Sequence, residues 1–464
     1  MRGFDPVEPP AQDQQLASMA AQYGVEGIVD LHVHLLPVRL QQRIWEHFDA
    51  AGPMLGRPWP IRYRWAVPDL VEHLHAMGVR RFSTMPYAHR PGMARGLCEH
   101  SRDLASQQPG VLPTLTFYPE PDAPEYVAKA LADGARVAKV HLQVGDFDPR
   151  EPMLEAVWTL LAEAAIPVVI HAGSGPVPGR HTGVAPISTV LHRHPGLVAV
   201  IAHLGAPETS QFLDLVEQRE RTYLDTTMSF TDFMNEMRPV SEDELARLSE
   251  LGDRVVFGSD YPSIPYPYAH ALAALARQGF DPSWMRAVLS GTATRLLDGE
   301  GAVTIGPMAA DEVAATRDLL LGTYVGGGFI APDSPYLSSL SDVEGRGRDA
   351  DVLVARGASG AVVGTVTYVR AKTPWAEISR PDEAEFRMLA VAEAAEGRGV
   401  GGALVDACID RARADGASAL VISTTPRMRR AHELYERRGF VRTPNRDWSP
   451  RAGIDLMTYR LDVS

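Results

Sequence analysis

Apolar and polar positions between residues 26 and 298 follow a repeating rhythm, in which short β-branched or apolar runs precede stretches of helical spacing. The runs at 79–85, 111–117, 137–141, 167–171, 198–203, 223–226 and 255–260 predict strands. An earlier run, Ile28-Val29-Asp30-Leu31-His32-Val33-His34, predicts one more. Stretches at 69–77, 152–164, 185–194, 210–220, 242–251 and 268–278 predict intervening helices. Strands that alternate with helices imply a parallel sheet, and eight such units predict a (β/α)8 TIM-type barrel over residues 26–298, an α/β fold. A doubly wound open sheet is the alternative. Residues 1–25 read as a Pro- and acid-rich arm with a short helix at 11–22, and 37–65 as a long excursion rich in Pro, Gly, Trp and Arg.

The rhythm stops at a Gly-rich linker, 299–304. Residues 305–464 then give a helix at 309–321, three successive strands at 351–356, 361–370 and 384–391, a helix at 400–414, a strand at 419–423 and a helix at 428–437. Consecutive strands flanked by helices predict a second, α+β domain.

Polar side chains fall at strand ends. His32 and His34 are two apart, so in an extended strand they share a face with Asp30, about 6–7 Å apart. His141, His171, His203 and Asp260 each close a predicted strand. In a barrel the C-terminal strand ends converge on one rim, where active sites are built. Neutral imidazoles with a carboxylate suit zinc or a similar divalent ion with an open position for water. Such an ion acidifies its water to a pKa near 7. That chemistry supports hydrolysis of a C–N or C–O bond, or lyase chemistry on a carboxylate. Arg62 and Arg64, in the excursion after the first strand, are candidates to clamp a substrate carboxylate.

The chain has 464 residues, enough for two or three domains. Its net charge of −13 argues against nucleic acid or an anionic membrane as the main partner. Cys98 and Cys408 lie far apart, which suits a reducing compartment without a disulfide framework. With no apolar signal core at the start and no run of membrane-spanning length, a soluble cytoplasmic protein acting on small molecules is expected. A homo-oligomer stays open.

The motifs His32-Val33-His34-Leu35-Leu36-Pro37, Lys139-Val140-His141, Val169-Ile170-His171, Ala202-His203-Leu204-Gly205 and Phe257-Gly258-Ser259-Asp260-Tyr261-Pro262 resemble the amidohydrolase superfamily. They look most like the branch that contains aminocarboxymuconate semialdehyde decarboxylase and related metal-dependent hydrolases. The resemblance implies that His32, His34, His171 and Asp260 hold the metal, with His203 as base or substrate-polarising residue and Asp260 also passing protons. In other branches a lysine such as Lys139 is a carboxylated bridge between two metals. Here, two positions before the strand end, it favours one metal, with Lys139 and His141 facing substrate.

In the second domain, Met388-Leu389-Ala390-Val391 runs into Glu396-Gly397-Arg398-Gly399-Val400-Gly401-Gly402, a strand leading to a glycine-rich turn and a helix N-terminus suited to a pyrophosphate. Together with Ala431-His432-Glu433-Leu434-Tyr435-Glu436-Arg437-Arg438-Gly439-Phe440 this resembles the GNAT superfamily of acetyl-CoA-dependent acyltransferases. The resemblance implies that amides near Leu389 and Val391 meet the pantetheine arm. It implies also that Arg398, Gly399, Val400, Gly401 and Gly402 hold the pyrophosphate, and that Tyr435 protonates the departing thiolate. Glu396 and Met428 depart from the family pattern. The expected protein is a bifunctional enzyme. Its barrel hydrolyses a small amide or ester with a metal, and its C-terminal domain acetylates a small amine. The alternatives are a decarboxylase barrel and a C-terminal domain that senses acetyl-CoA.

Overall fold

The computed structural model describes residues 4–299, 303–357, 360–396, 399–451 and 454–463. The chain divides into two compact units, Met1–Gly299 and Glu300–Ser464.

In the first unit β3 (Thr114–Thr116), β4 (Val137–His141), β5 (Pro167–His171), β6 (Val198–Ile201), β7 (Thr222–Asp225) and β8 (Val255–Val256) form one parallel sheet in chain order. β1 (Ile28–Asp30) pairs in parallel with β2 (Val79–Phe82). Parallel bridges from Phe82 to Val111 and from Val33 to Tyr261 join the pieces, so the eight strands close. The amides of Leu31 and His34 donate to the carbonyls of Phe257 and Tyr261, at 3.1 and 2.7 Å, across the same seam. This closure excludes the open-sheet alternative.

Alternation explains the core. Ala138 and Val140 of β4 and Val168 and Ile170 of β5 face the surrounding helices, whereas Val137 and Val169 point into the barrel. The floor is plugged by Ala293 and Leu297 of the helix Thr292–Asp298. A strand buried on both faces must be apolar almost throughout, which is why these runs are so legible in the sequence. The exceptions are the inward Lys139, His141, His171 and Asp225, all toward the C-terminal end.

Strands at the rim are shorter than the runs predict. β2 ends at Phe82, β6 at Ile201 and β8 at Val256, because the next residues leave the ladder to build loops. Asp30 departs from the expected shared face. The register slips at Ile28/Val29 and β1 ends at Asp30. The Asp30 carboxylate therefore turns to the His32 amide (2.9 Å) and the Tyr268 hydroxyl (2.6 Å), both of which donate to it. The excursion after β1 also contains an unanticipated helix, Val38–Ala50. The N-terminal segment is anchored by buried Asp13, which accepts from the Tyr63 hydroxyl (2.6 Å) and the Ala269 amide (2.9 Å).

The second unit is a mixed sheet in the order β14 (Val441–Arg442), β16 (Ile454–Asp462), β13 (Ala419–Thr424), β12 (Glu383–Val391), β11 (Val362–Arg370), β10 (Asp351–Arg356), β9 (Thr304–Pro307), with β15 (Trp448–Arg451) beside β16. Val400, Leu404, Val405 and Cys408 of the helix Val400–Ala414 pack with Tyr368, Phe386 and Leu420. Beside β9, the Arg356 guanidinium makes a paired contact with Glu312, both bonds 2.7 Å and both side chains buried. β9 and β14 to β16 go beyond the sequence reading.

Candidate functional site

Two imidazole nitrogens and a carboxylate oxygen, from His32, His34 and Asp260, lie within 4.8 Å of one another at the C-terminal rim of the barrel. Hydrogen bonding aims them. The Nδ1 of His32 donates to Asp225 (2.7 Å) and that of His34 to the Met85 carbonyl (2.9 Å). Both Nε2 lone pairs are thereby left facing Asp260 Oδ1, at 3.6 and 3.0 Å. Outer partners of this kind fix the tautomer and ring orientation of metal-binding histidines. Burial lowers the pKa of His32 to about 4, so at neutral pH its ring is in the neutral, ligating form. Burial works against ionised Asp260, but the surrounding imidazoles of His34, His203 and His32 outweigh it and hold the group below the usual carboxylate range. The donor set fits a zinc-type ion.

Three more histidines border the cluster. The His203 ring lies 5.1 Å from that of His32 and 4.8 Å from that of His171, and His141 stacks on His171 at 3.9 Å. His171 donates from Nε2 to the Gly175 carbonyl (3.0 Å), which leaves Nδ1 as its ligating nitrogen; it stands outside the tight three-residue group. His203 donates from Nδ1 to the Thr227 carbonyl (3.2 Å), which leaves Nε2 as an acceptor. Burial lowers His171 to about 3 and His203 to about 4. The ammonium of buried Lys139 lies 3.1 Å from His32 Nε2, against the lone pair a metal would use, and burial lowers its pKa to about 8.

Asp225 is a site residue that the sequence reading missed. One oxygen holds His32; the other accepts from the amides of His203 (2.7 Å) and Thr227 (3.1 Å). His203 and Leu204 have φ of 56° and 52°, a left-handed turn that carries a backbone cost and is pinned by that Asp225 contact. Gly258 is required nearby, since a Cβ there would lie 2.8 Å from the Cβ of His32 and run into Thr227 Oγ1. Asp225→Asn leaves the shape but weakens the acceptor on His32. Metal affinity is expected to fall roughly 10–100-fold, measured by competition with a chromogenic chelator.

These groups lie at the bottom of a cavity of about 720 Å³, of a size for a small molecule. Arg62 and Arg64 do not line it. Arg62 is exposed, and Arg64 is engaged with Asp49 and lies 5.8 Å from the Trp45 ring. Arg39, Arg43 and Arg90 line the cavity instead.

In the second unit, β12 and β13 pair only from Glu383 to Glu385 against Ala419 to Val421. A bulge at Met388, with φ of 54°, turns β12 as it runs away from β13. Leu389 and Val391 follow on this stretch, which pairs with β11 but not with β13, and the Leu389 carbonyl accepts from the Tyr324 hydroxyl (3.2 Å). Gly399 adopts φ of 83° and opens the helix Val400–Ala414. Gly399, Val400, Gly401 and Gly402 thus supply the unpaired first-turn amides. Arg398 lies outside the described residues. Glu396 pairs with Arg430 at 2.6 Å. Tyr435 is buried against Phe386 and Phe440, ring centroids 5.6 and 5.9 Å away; burial pushes its phenol up and keeps it protonated.

Residues 29–299 match the family model described as Amidohydrolase, and residues 317–440 the one described as the Acetyltransferase (GNAT) family. No curated protein matches the chain. Among solved structures, a TIM-barrel protein from Bordetella bronchiseptica is similar at 20% identity and TM-score 0.47, covering 58% of this chain and 98% of that one. A GNAT-family acetyltransferase from Staphylococcus aureus Mu50 is similar at 15% identity and TM-score 0.30, covering 35% and 100%. A Salmonella typhimurium putative acetyltransferase, solved with acetyl-CoA, is similar at 22% identity and TM-score 0.29, covering 35% and 95%. With its barrel spanned by the first model and residues 317–440 of its second unit matched by the second, the chain belongs to the amidohydrolase family and carries a GNAT acetyltransferase domain in its second unit.

Proposed function

We propose that the protein is bifunctional, its barrel a metal-dependent hydrolase of a small-molecule amide or ester and its second unit an acetyl-CoA-dependent N-acetyltransferase of a small amine. The observation that carries the reading is the convergence of His32, His34 and Asp260 within 4.8 Å, the two histidines each aimed by a partner outside the cluster. These three residues, with His171 through Nδ1, would hold a zinc-type ion. When bound, such an ion supplies Lewis-acid polarisation and an acidified water. His203 takes the proton of the attacking water at Nε2, since its Nδ1 already donates to Thr227. It returns that proton to the leaving amine or alkoxide. Lys139 and His141 face the reacting end of the substrate.

In the second unit, the amides of Leu389 and Val391 would receive the pantetheine arm and those of Gly399 to Gly402 the pyrophosphate. Arg430, paired with Glu396, offsets a carboxylate beside that anion. Tyr435 gives its proton to the leaving thiolate.

The test incubates the zinc-supplemented full chain with a panel of N-acyl amino acids and carboxylic esters, and separately with acetyl-CoA and an amine panel. Released amine or alcohol is expected from the first, abolished by His203→Ala, and free thiol from the second. Carbon dioxide without a hydrolysis product would replace the hydrolase reading by a decarboxylase one. Acetyl-CoA binding with no thiol release across the panel would replace the transferase by a sensor.

A further inference from the structure

We propose that the barrel cavity takes an amphiphilic anion, its apolar body against Leu40, Phe48, Trp59 and Met234 and its carboxylate or phosphate head held by Arg39, Arg43 and Arg90. The proposal rests on the cavity being the substrate site, as argued above.

The helix Val38–Ala50 has three working faces. Gln41 and Trp45 are buried in the barrel. Leu40, Ile44 and Phe48, four apart, form an apolar stripe that lines the cavity, and beside it Arg39, Arg43 and His47, also four apart, form a polar one that carries the two guanidinium charges. From the opposite side come His89 and Arg90 on the loop after β2. Burial, then the charges of Arg90 and Arg43, lower the pKa of His89.

No carboxylate answers this charge. Among the described residues that line the cavity the single acid is Asp260, already engaged with His34. Asp49, on the same helix, holds Arg64, and Glu120 accepts from the Gly92 amide. In a chain with 58 acidic and 45 basic residues, an arginine rim without ion pairs is not a consequence of composition. Guanidinium forks with free donors match carboxylate and phosphate. The apolar wall below excludes a small bare anion as the whole ligand, because its burial would gain nothing from Phe48, Trp59 or Met234.

Calorimetry on the zinc-loaded full chain compares three probes with one apolar body: 4-phenylbutyrate, 4-phenylbutanamide and 4-phenylbutyl phosphate. At least one anion is expected to bind about tenfold or more tighter than the amide. The Arg39→Gln/Arg43→Gln variant should shrink that gap to below about threefold without changing the amide's Kd, and Arg39→Lys/Arg43→Lys should keep part of it. The tighter anion identifies the head group. Equal binding of all three probes, or a gap that survives the glutamine variant, overturns the proposal. Because the readout is binding and not turnover, the expected anion-over-amide gap in an unsubstituted protein that hydrolyses nothing would sink the hydrolase reading alone.

Discussion

Replacing His34 with alanine is expected to take the barrel from about one zinc per chain to nearly none, read by elemental analysis after gel filtration. His34 is one of three donors within 4.8 Å, and its Nε2 lies 3.0 Å from Asp260. Removing a ligand outright costs more than the roughly 10–100-fold expected for loss of an outer partner. The Lys139 ammonium, 3.1 Å from His32 Nε2, then opposes any cation held by the remaining donors. Hydrolysis should fall by about 10³-fold or more, because unassisted water returns to a pKa near 15.7. The fold should persist, since Val33 and Leu35, on either side, stay buried in the core. His141→Ala, which removes a ring stacked on His171, should retain the metal while losing turnover. Full metal content in His34→Ala would remove the candidate centre. A fall in metal content on Lys139→Met as well would favour a two-ion site bridged by that lysine.

The histidines at the barrel rim were readable because a parallel strand buried on both faces has little place for polar side chains, so each exception marks a rim position. Asp225 carries the same mark at the end of Tyr223-Leu224-Asp225, yet its role depends on reaching His32, 193 positions away, which no local pattern encodes. The Asp30 expectation failed for a related reason, because β1 ends at Asp30 and the chain leaves the ladder before His32, so the two do not share a strand face. Arg62 is exposed and Arg64 is engaged with Asp49, whereas Arg39 and Arg43 lie on the helix Val38–Ala50 beside the cavity. The four-residue spacing of Leu40, Ile44 and Phe48 was available and marks the helix that faces the cavity. In the second unit Met457, Tyr459 and Leu461 alternate as a strand should, and β16 does pack them on the core. The separation of β12 from β13 is different in kind, since it depends on a bulge and on pairing between segments far apart in sequence.

Glu312→Ala is expected to give the largest loss of stability in the second unit, about 3–5 kcal/mol, because it breaks a buried ion pair by removing its carboxylate. Arg356 is 2% exposed and Glu312 3%. The pair does more than neutralise charge: Arg356 also donates to the Pro307 carbonyl at 2.6 Å, and Glu312 accepts from the Ala309 amide at 2.7 Å. It therefore ties β9, β10 and the entry to the helix Val313–Leu321 at one point. At roughly 2–4 °C per kcal/mol for a unit of this size, the second unit's thermal transition should drop by about 10 °C while that of the barrel stays in place. The double replacement Glu312→Leu/Arg356→Met removes both charges and should recover most of the loss, because desolvation of two ions offsets much of their attraction. If the double variant were as unstable as the single one, the hydrogen bonds to Pro307 and Ala309, and not the ion pair, would be what holds this corner.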